Sequence, residues 1–241
     1  MSIEVLLSGA TGTTGRALMA YIDRDEHVRL AGTAARDHFF EPDVEADVII
    51  DFSHAVLLEK VLAFAHRRRI PMVIGTTGLP AELAGHILKA ADDIAICQAA
   101  NFSLGVNLMM RLAERAARTL GEDFDVEISE IHHRRKLDAP SGTALALGAT
   151  LARARNQDAD DNAVFDRTRH RIPRSVDEIG YQSVRGGDVV GEHTVYFLGD
   201  GERLELTHRA NRREVFAKGA LLAARRMLDR PAGLVDFADL V

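Results

Sequence analysis

The sequence predicts an α/β chain of two lobes: a parallel sheet with crossover helices, and a smaller α+β lobe with a mixed sheet. Three observations point there. Over roughly the first hundred residues, short β-branched runs alternate with helical stretches. After residue 122 the pattern changes to a strand, a polar loop, a helix and then a hairpin. A final helical run, Val215–Leu228, stops before Pro231 and returns to the first lobe. The lobes read as 1–103 completed by 214–241, and 104–213.

In the first lobe the elements are Ile3–Leu7, a helix from about Gly15, Val28–Gly32, Val48–Ile50, then Leu57–His66 as helix. Met72–Ile74, helical Ala81–Ala91 and Ile94–Cys97 follow. Leu104–Leu120 carries Leu104, Leu108, Arg111, Leu112 and Arg115 at near-helical spacing and reads as a long helix between the lobes. Val126–Ile131 is strand-like, Gly142–Arg155 is helical, and Asn156–Asn162 lacks periodicity and reads as an exposed loop. From Val184 the pattern is antiparallel: Val189–Leu198 and Arg203–His208 flank the turn Gly199-Asp200-Gly201.

At 241 residues and 46% hydrophobic content the chain is long enough for real cores. A single cysteine, Cys97, lies in an apolar run, suits core packing and fits a reducing compartment. The opening residues do not read as a signal segment, and no run reaches about 18 apolar residues, so no membrane association and a cytoplasmic location are expected. A net charge of -6 argues against nucleic acid as a partner. The cluster Arg67-Arg68-Arg69 reads as a helix end, where cations suit the dipole.

Gly9-Ala10-Thr11-Gly12-Thr13-Thr14-Gly15 follows the first strand and opens a helix. There glycines let the backbone approach a pyrophosphate at the helix N-terminus, as in Rossmann-like dinucleotide-binding domains. Ala34-Ala35-Arg36-Asp37 ends the second strand with both an arginine and an acid, so NADH and NADPH both remain open as cofactor. Gly75-Thr76-Thr77-Gly78 and Ala99-Ala100-Asn101-Phe102 also fall at strand C-terminal ends and are expected on the nicotinamide side.

The run from Glu130 to Thr143 holds two adjacent histidines, a lysine and a helix start within a connecting loop. Ser141-Gly142-Thr143 should present backbone N–H groups at a helix N-terminus, a seat for a carboxylate or phosphate. His132 and His133 point apart on an extended segment, and no cysteine or carboxylate has suitable spacing to join them, so no catalytic metal is expected.

With these residues assembled, the chain resembles the 4-hydroxy-tetrahydrodipicolinate reductase family over nearly its whole length. The resemblance rests on Asp51-Phe52-Ser53, Gly75–Gly78, Ala100–Asn107, Glu130–Ala144 with its Lys-x-Asp-Ala-Pro-Ser-Gly-Thr run, and Val190-Gly191-Glu192-His193. It implies hydride transfer from NADH or NADPH to a cyclic, unsaturated imine dicarboxylate, and a homotetramer joined through the second lobe's sheet. By motif position it implies His132 as the catalytic proton donor and acceptor, and Lys136 as a second proton donor. His133, with Ser141, Gly142 and Thr143, would bind substrate, and Arg213, just after the last strand, would pair with the other carboxylate. Two departures stand out: Gly12-Thr13-Thr14-Gly15 replaces the family's usual Gly-Arg-Met-Gly, leaving Arg36 for an NADPH phosphate, and the segment from Arg36 to Val48 is short.

Rival readings are weaker. Short-chain dehydrogenases need Tyr-x-x-x-Lys, whereas Tyr21, Tyr181 and Tyr196 are followed four residues on by Asp25, Arg185 and Asp200. A catalytically silent dinucleotide sensor would not retain both the acid and the anion seat.

Overall fold

The first part of the chain alternates as expected: β1 (Ile3–Ser8), α1 (Thr13–Ile22), β2 (Val28–Ala34), β3 (Val48–Asp51), α2 (Ala55–Arg68), β4 (Met72–Ile74), α3 (Ala81–Ala91) and β5 (Ala95–Gln98). Then come α4 (Leu104–Leu120), β6 (Asp125–His132), α5 (Gly142–Ala154), β7 (Ala163–Val164), β8 (Ile179–Arg185), β9 (Gly191–Gly199), β10 (Glu202–Ala210), α6 (Glu214–Met227) and β11 (Gly233–Asp236). These assignments come from a computed structural model that describes residues 2–168 and 172–241. The chain divides into two compact units, Met1–Leu104 with Arg213–Val241, and Gly105–Arg212.

The first unit is built on a wholly parallel sheet, ordered β11-β5-β4-β3-β1-β2. Its central strands β3, β4 and β5 are runs of buried, mostly apolar residues because both faces are covered. Val5, Leu7, Val48 and Ile50 face α1 and α6, meeting Leu18, Leu221 and Met227. Leu6, Ile49, Met72 and Ile96 face the other way, onto Leu58, Val61, Leu83 and Ile87 of α2 and α3. Each of these buried aliphatic side chains contributes roughly 1.5–3 kcal/mol by leaving water. Cys97 is fully buried, and burial with the nearby Asp236 charge pushes its thiol up to about 12, which leaves it a packing residue. Strand β11 was not expected from sequence; beside β5, it lets the chain's end complete this sheet.

The connection from β2 to β3 has no helix. Phe39 and Phe40 pack on Phe64 of α2, with ring centroids 5.8 and 5.5 Å away. Arg68 donates to the Pro42 and Val44 carbonyls at 3.1 Å each. The Arg67-Arg68-Arg69 cluster does close α2, with Arg69 in the left-handed region at φ 55°, but Arg68 ties down the crossover as well.

The second unit has a mixed sheet, β10-β9-β6-β8-β7. The hairpin turns at Asp200-Gly201, with Gly201 at φ +85°. One expectation, antiparallel structure from Val184 onward, is corrected: β8 spans Ile179–Arg185 and runs parallel to β6, and among the described residues of this sheet antiparallel pairing joins β6, β9 and β10. The run Ile179–Val184 mixes glycine, glutamine and serine with apolar residues and shows no clear period, which hid the strand. Register brings side chains into rows across β8, β6 and β9: Ile179, Val126 and Phe197, then Tyr181, Ile128 and Val195. These rows bury against Met109 and Ala113 of α4 and Leu147 and Leu151 of α5.

Candidate functional site

In the first unit the site begins at a change of direction in the sheet. The chain leaves β1 for β2 on one side and resumes at β3 on the other, and open α/β sheets bind ligands in the crevice at such a switch point. Gly9, at φ +82°, and Gly15 make this loop possible: a Cβ on Gly9 would collide with the Phe52 carbonyl, and one on Gly15 with the Gly9 carbonyl. Gly12 takes the N-cap position of α1 without a side-chain cap, and Thr11, Gly12 and Thr13 are exposed, leaving the first turn open to an anion.

Around this loop stand the ends of β3, β4 and β5. Buried Asp51 accepts from the Ser53 hydroxyl at 2.7 Å and from the Thr76 hydroxyl, while Ser53 N–H donates to Thr76 Oγ1 at 2.9 Å. A Cβ on Gly75 would enter the Phe52 ring, so the close approach there requires glycine. Ala99 N–H donates to the Ile74 carbonyl at 3.1 Å, and Asn101 Oδ1 accepts from Ser103 N–H at 2.8 Å. The predicted residues Gly9 to Thr14, Gly75 to Thr77 and Ala99 to Asn101 are therefore gathered along the carboxyl ends of β1, β4 and β5. Two differ in what they offer. Thr76 spends its hydroxyl on Asp51, and Phe102 is 1% exposed, its ring packed edge-on or tilted against those of Phe52 and Phe237 in the core.

Beyond β2 a cavity of about 720 Å³ is lined by Arg36, Asp37, His38, Phe39, His54 and Lys60, among others. Asp37 hydrogen-bonds His38, which holds its carboxyl below the usual range. Arg36 and Lys60 are the cations in its lining. These features fit a dinucleotide: a glycine cradle, an open helix N-terminus and a cationic pocket at the second strand's end.

In the second unit, the sheet rows that start apolar end polar. The third row is Ser183, Glu130 and His193, and beyond it Arg185 pairs with His132, whose ring lies against Gly191. Period-two alternation puts Glu130 and His132 on the same face as Val126 and Ile128. Glu130 is 1% exposed and accepts two charged hydrogen bonds from Arg185, at 2.6 and 2.8 Å. His132 Nδ1 lies 2.5 Å from Glu130 Oε2. Burial opposes the Glu130 charge, but hydrogen bonds from Arg185, Ser183 and His132 outweigh it and hold the carboxyl at about 2. Burial lowers His132, and Glu130 partly offsets that.

Helix α5 starts beside this row. Ser141 is its N-cap, accepting from Ala144 N–H at 3.2 Å. The expected seat is narrower than the sequence suggested: Ser141 N–H points to Glu130 Oε1 at 3.3 Å, and its hydroxyl meets His193 Nε2 at 2.9 Å. Ser141 is thus buried behind the helix start, while Gly142 is exposed and a Cβ there would meet nothing within 4 Å. Thr143 is 8% exposed. His133 is half-buried beyond the strand end, and Lys136 Nζ is held by Asp138 at 2.8 Å.

Glu130, Arg185 and His193 were not picked out individually from sequence. The signal for Glu130 was present, as an acid at an inward position of an alternating strand demands a buried partner. Arg185 and His193 carry no comparable local mark. His193 is buried, its ring 5.2 Å from that of His132 and edge-on at 75°; burial and the His132 charge push it down to about 4.

The chain as a whole is similar to known proteins. Family models described as dihydrodipicolinate reductase, N-terminus, and dihydrodipicolinate reductase, C-terminus, match residues 3–102 and 105–241. A 4-hydroxy-tetrahydrodipicolinate reductase of Nitrosomonas europaea is 40% identical over 99% of this chain and 98% of its own. One from Pseudoalteromonas translucida is 43% identical over 97% and 96%. One from Pseudomonas fluorescens is 51% identical over 82% and 74%. Among solved structures, a dipicolinate-bound dihydrodipicolinate reductase from Paenisporosarcina shares the fold, with a TM-score of 0.80 at 24% identity and full coverage of both chains. With both halves matched and relatives aligned nearly end to end, the chain belongs to the dihydrodipicolinate reductase family.

Proposed function

We infer that this chain is an NAD(P)H-dependent oxidoreductase that reduces 4-hydroxy-tetrahydrodipicolinate to tetrahydrodipicolinate, with loss of water, in diaminopimelate and lysine biosynthesis. The observation that carries the reading is a buried, carboxylate-bound imidazole beside an open helix N-terminus, in a chain of this family.

The first unit holds the dinucleotide through Gly9 to Thr14, with Arg36 at the adenosine side and Gly75 to Thr77 and Ala99 to Phe102 at the nicotinamide side. When bound, the dinucleotide supplies the hydride. The second unit binds the cyclic dicarboxylate. Gly142 and Thr143 take one carboxylate at the α5 N-terminus, with Ser141 bracing the turn from behind and His133 at the rim. The reduced ring keeps an electron pair that needs a proton, and His132, whose ordinary range lies near neutral pH, supplies it. Lys136 brings positive charge to the dianion and serves as a second proton donor.

The test is absorbance at 340 nm with NADH and NADPH in parallel, with substrate made from pyruvate and aspartate semialdehyde by the preceding synthase. Loss of absorbance that requires substrate is expected. Folded protein that binds dinucleotide yet shows no loss would move the assignment to another imine substrate or to a sensor.

We further propose a cytoplasmic homotetramer joined through the outer face of the mixed sheet. Supporting it, Ile131 and Val184 pair across β6 and β8, and Tyr196 and Leu198 line β9 on the same face, with Val184 51% exposed. No helix of the described residues is long and apolar enough to cross a membrane. Light scattering at micromolar concentration that returned a monomer mass would remove the tetramer.

A further inference from the structure

Both Glu130 oxygens are held by hydrogen bonds, with Ser183 beside them as a further donor. Oε1 accepts from Arg185 at 2.6 Å and from Ser141 N–H at 3.3 Å, and Oε2 accepts from Arg185 at 2.8 Å and meets His132 Nδ1 at 2.5 Å. Arg185 is itself anchored, donating to the Val184 and Asp138 carbonyls at 2.8 and 2.7 Å. It therefore ties the carboxylate to the loop that carries Lys136. On the far side of the imidazole, a Cβ at Gly191 would lie 2.9 Å from His132 Nε2, so glycine leaves that nitrogen clear.

We propose that Glu130, clamped by Arg185, is a positioning residue that fixes the His132 tautomer with hydrogen on Nδ1, so that Nε2, kept clear by Gly191, is the atom that handles the proton. This rests on the reading of His132 as the proton donor. An ionised carboxylate is an acceptor only, so the nitrogen facing it must donate. The charged and titratable groups around His132 are Glu130 on its own strand, Arg185 on β8, His193 on β9 and Lys136 in the loop. Of these only Glu130 is negative, and it stabilises the imidazolium before its proton leaves. The proton passes from Nε2 to the reduced substrate's electron pair, Nδ1–H stays on Glu130, and solvent returns a proton to Nε2.

A histidine-selective ¹H–¹⁵N experiment on the cofactor-free protein reads the tautomer without activity. The wild type should show His132 neutral with hydrogen on Nδ1. In Glu130→Gln, the His132 titration and the matching limb of the kcat profile should both move to lower pH. Its kcat should fall at least about 10-fold, the size seen for carboxylates that orient a working imidazole, with KM within about threefold. Gly191→Ala, which leaves Glu130 and Arg185 in place, should lower kcat while keeping the tautomer, and it decides the matter if Glu130→Gln does not fold. Hydrogen on Nε2 in the wild type, or unmoved titration and kcat in Glu130→Gln, or full kcat in Gly191→Ala, would overturn the proposal. His132→Gln with wild-type kcat would instead remove the proton-donor reading itself.

Discussion

The buried His193 makes stability depend on pH in a way that one substitution isolates. Its imidazole is 4% exposed, and burial, reinforced by the neighbouring His132, lowers it from 6.5 to about 4. The fold thus favours the neutral ring, whereas the unfolded chain takes up a proton below about pH 6.5. The contribution is complete above that value and is lost as pH falls towards 4. Each pKa unit corresponds to about 1.4 kcal/mol, so the loss reaches about 3 kcal/mol by about pH 4. His193→Gln keeps a side-chain amide within reach of Ser141 but cannot titrate. At pH 7.5 the variant should be less stable by about 1–2 kcal/mol from imperfect packing. The gap should close and then reverse as pH drops, because carboxylates common to both proteins cancel in the difference. Urea unfolding followed by far-ultraviolet circular dichroism across this range measures it. Parallel stability profiles would refute the buried neutral imidazole.

Other substitutions probe other parts. Thr143→Val should raise the substrate KM more than it lowers kcat, by removing a hydroxyl at the proposed carboxylate seat; unchanged steady-state KM would place the substrate elsewhere. Arg36→Ala should lower kcat/KM for NADPH by roughly 10-fold or more and leave NADH nearly unaffected, since only NADPH carries a 2′-phosphate on the adenosine ribose for the arginine to pair. Equal losses would show that the arginine serves the shared part of the cofactor. Gly148→Ala drives a Cβ into the Tyr181 hydroxyl in the second core and should cost about 1–3 kcal/mol in chemical denaturation, with the first unit's dinucleotide affinity unchanged. A neutral effect would mean that Tyr181 moves aside freely.

Most of the first unit was legible because its signals are local. A glycine loop between a strand and a helix, runs of buried aliphatics, and helix stops at Arg69 and before Pro231 each depend on a few neighbouring residues. Met72–Ile74, Ala81–Ala91 and Leu104–Leu120 fall where the periodicity places them. Strands β8 and β11 were not, because their residues carry little period of their own and are held by partners far along the chain.

The sequence by itself determined the two-lobe α/β plan, the glycine cradle and the helix start after Pro140, since each follows from backbone freedom, capping and hydrophobic spacing within a short stretch. It also placed His132, Lys136, Gly142 and Thr143 in one segment. Only the tertiary structure decided what surrounds them. Register across β8, β6 and β9 set Arg185 and Ser183 on one side of the polar rows and His193 on the other, and turned Ser141 inward. The protonation of an imidazole depends on burial and on charges a few ångströms away, and those distances are made by strands more than fifty residues apart in the chain.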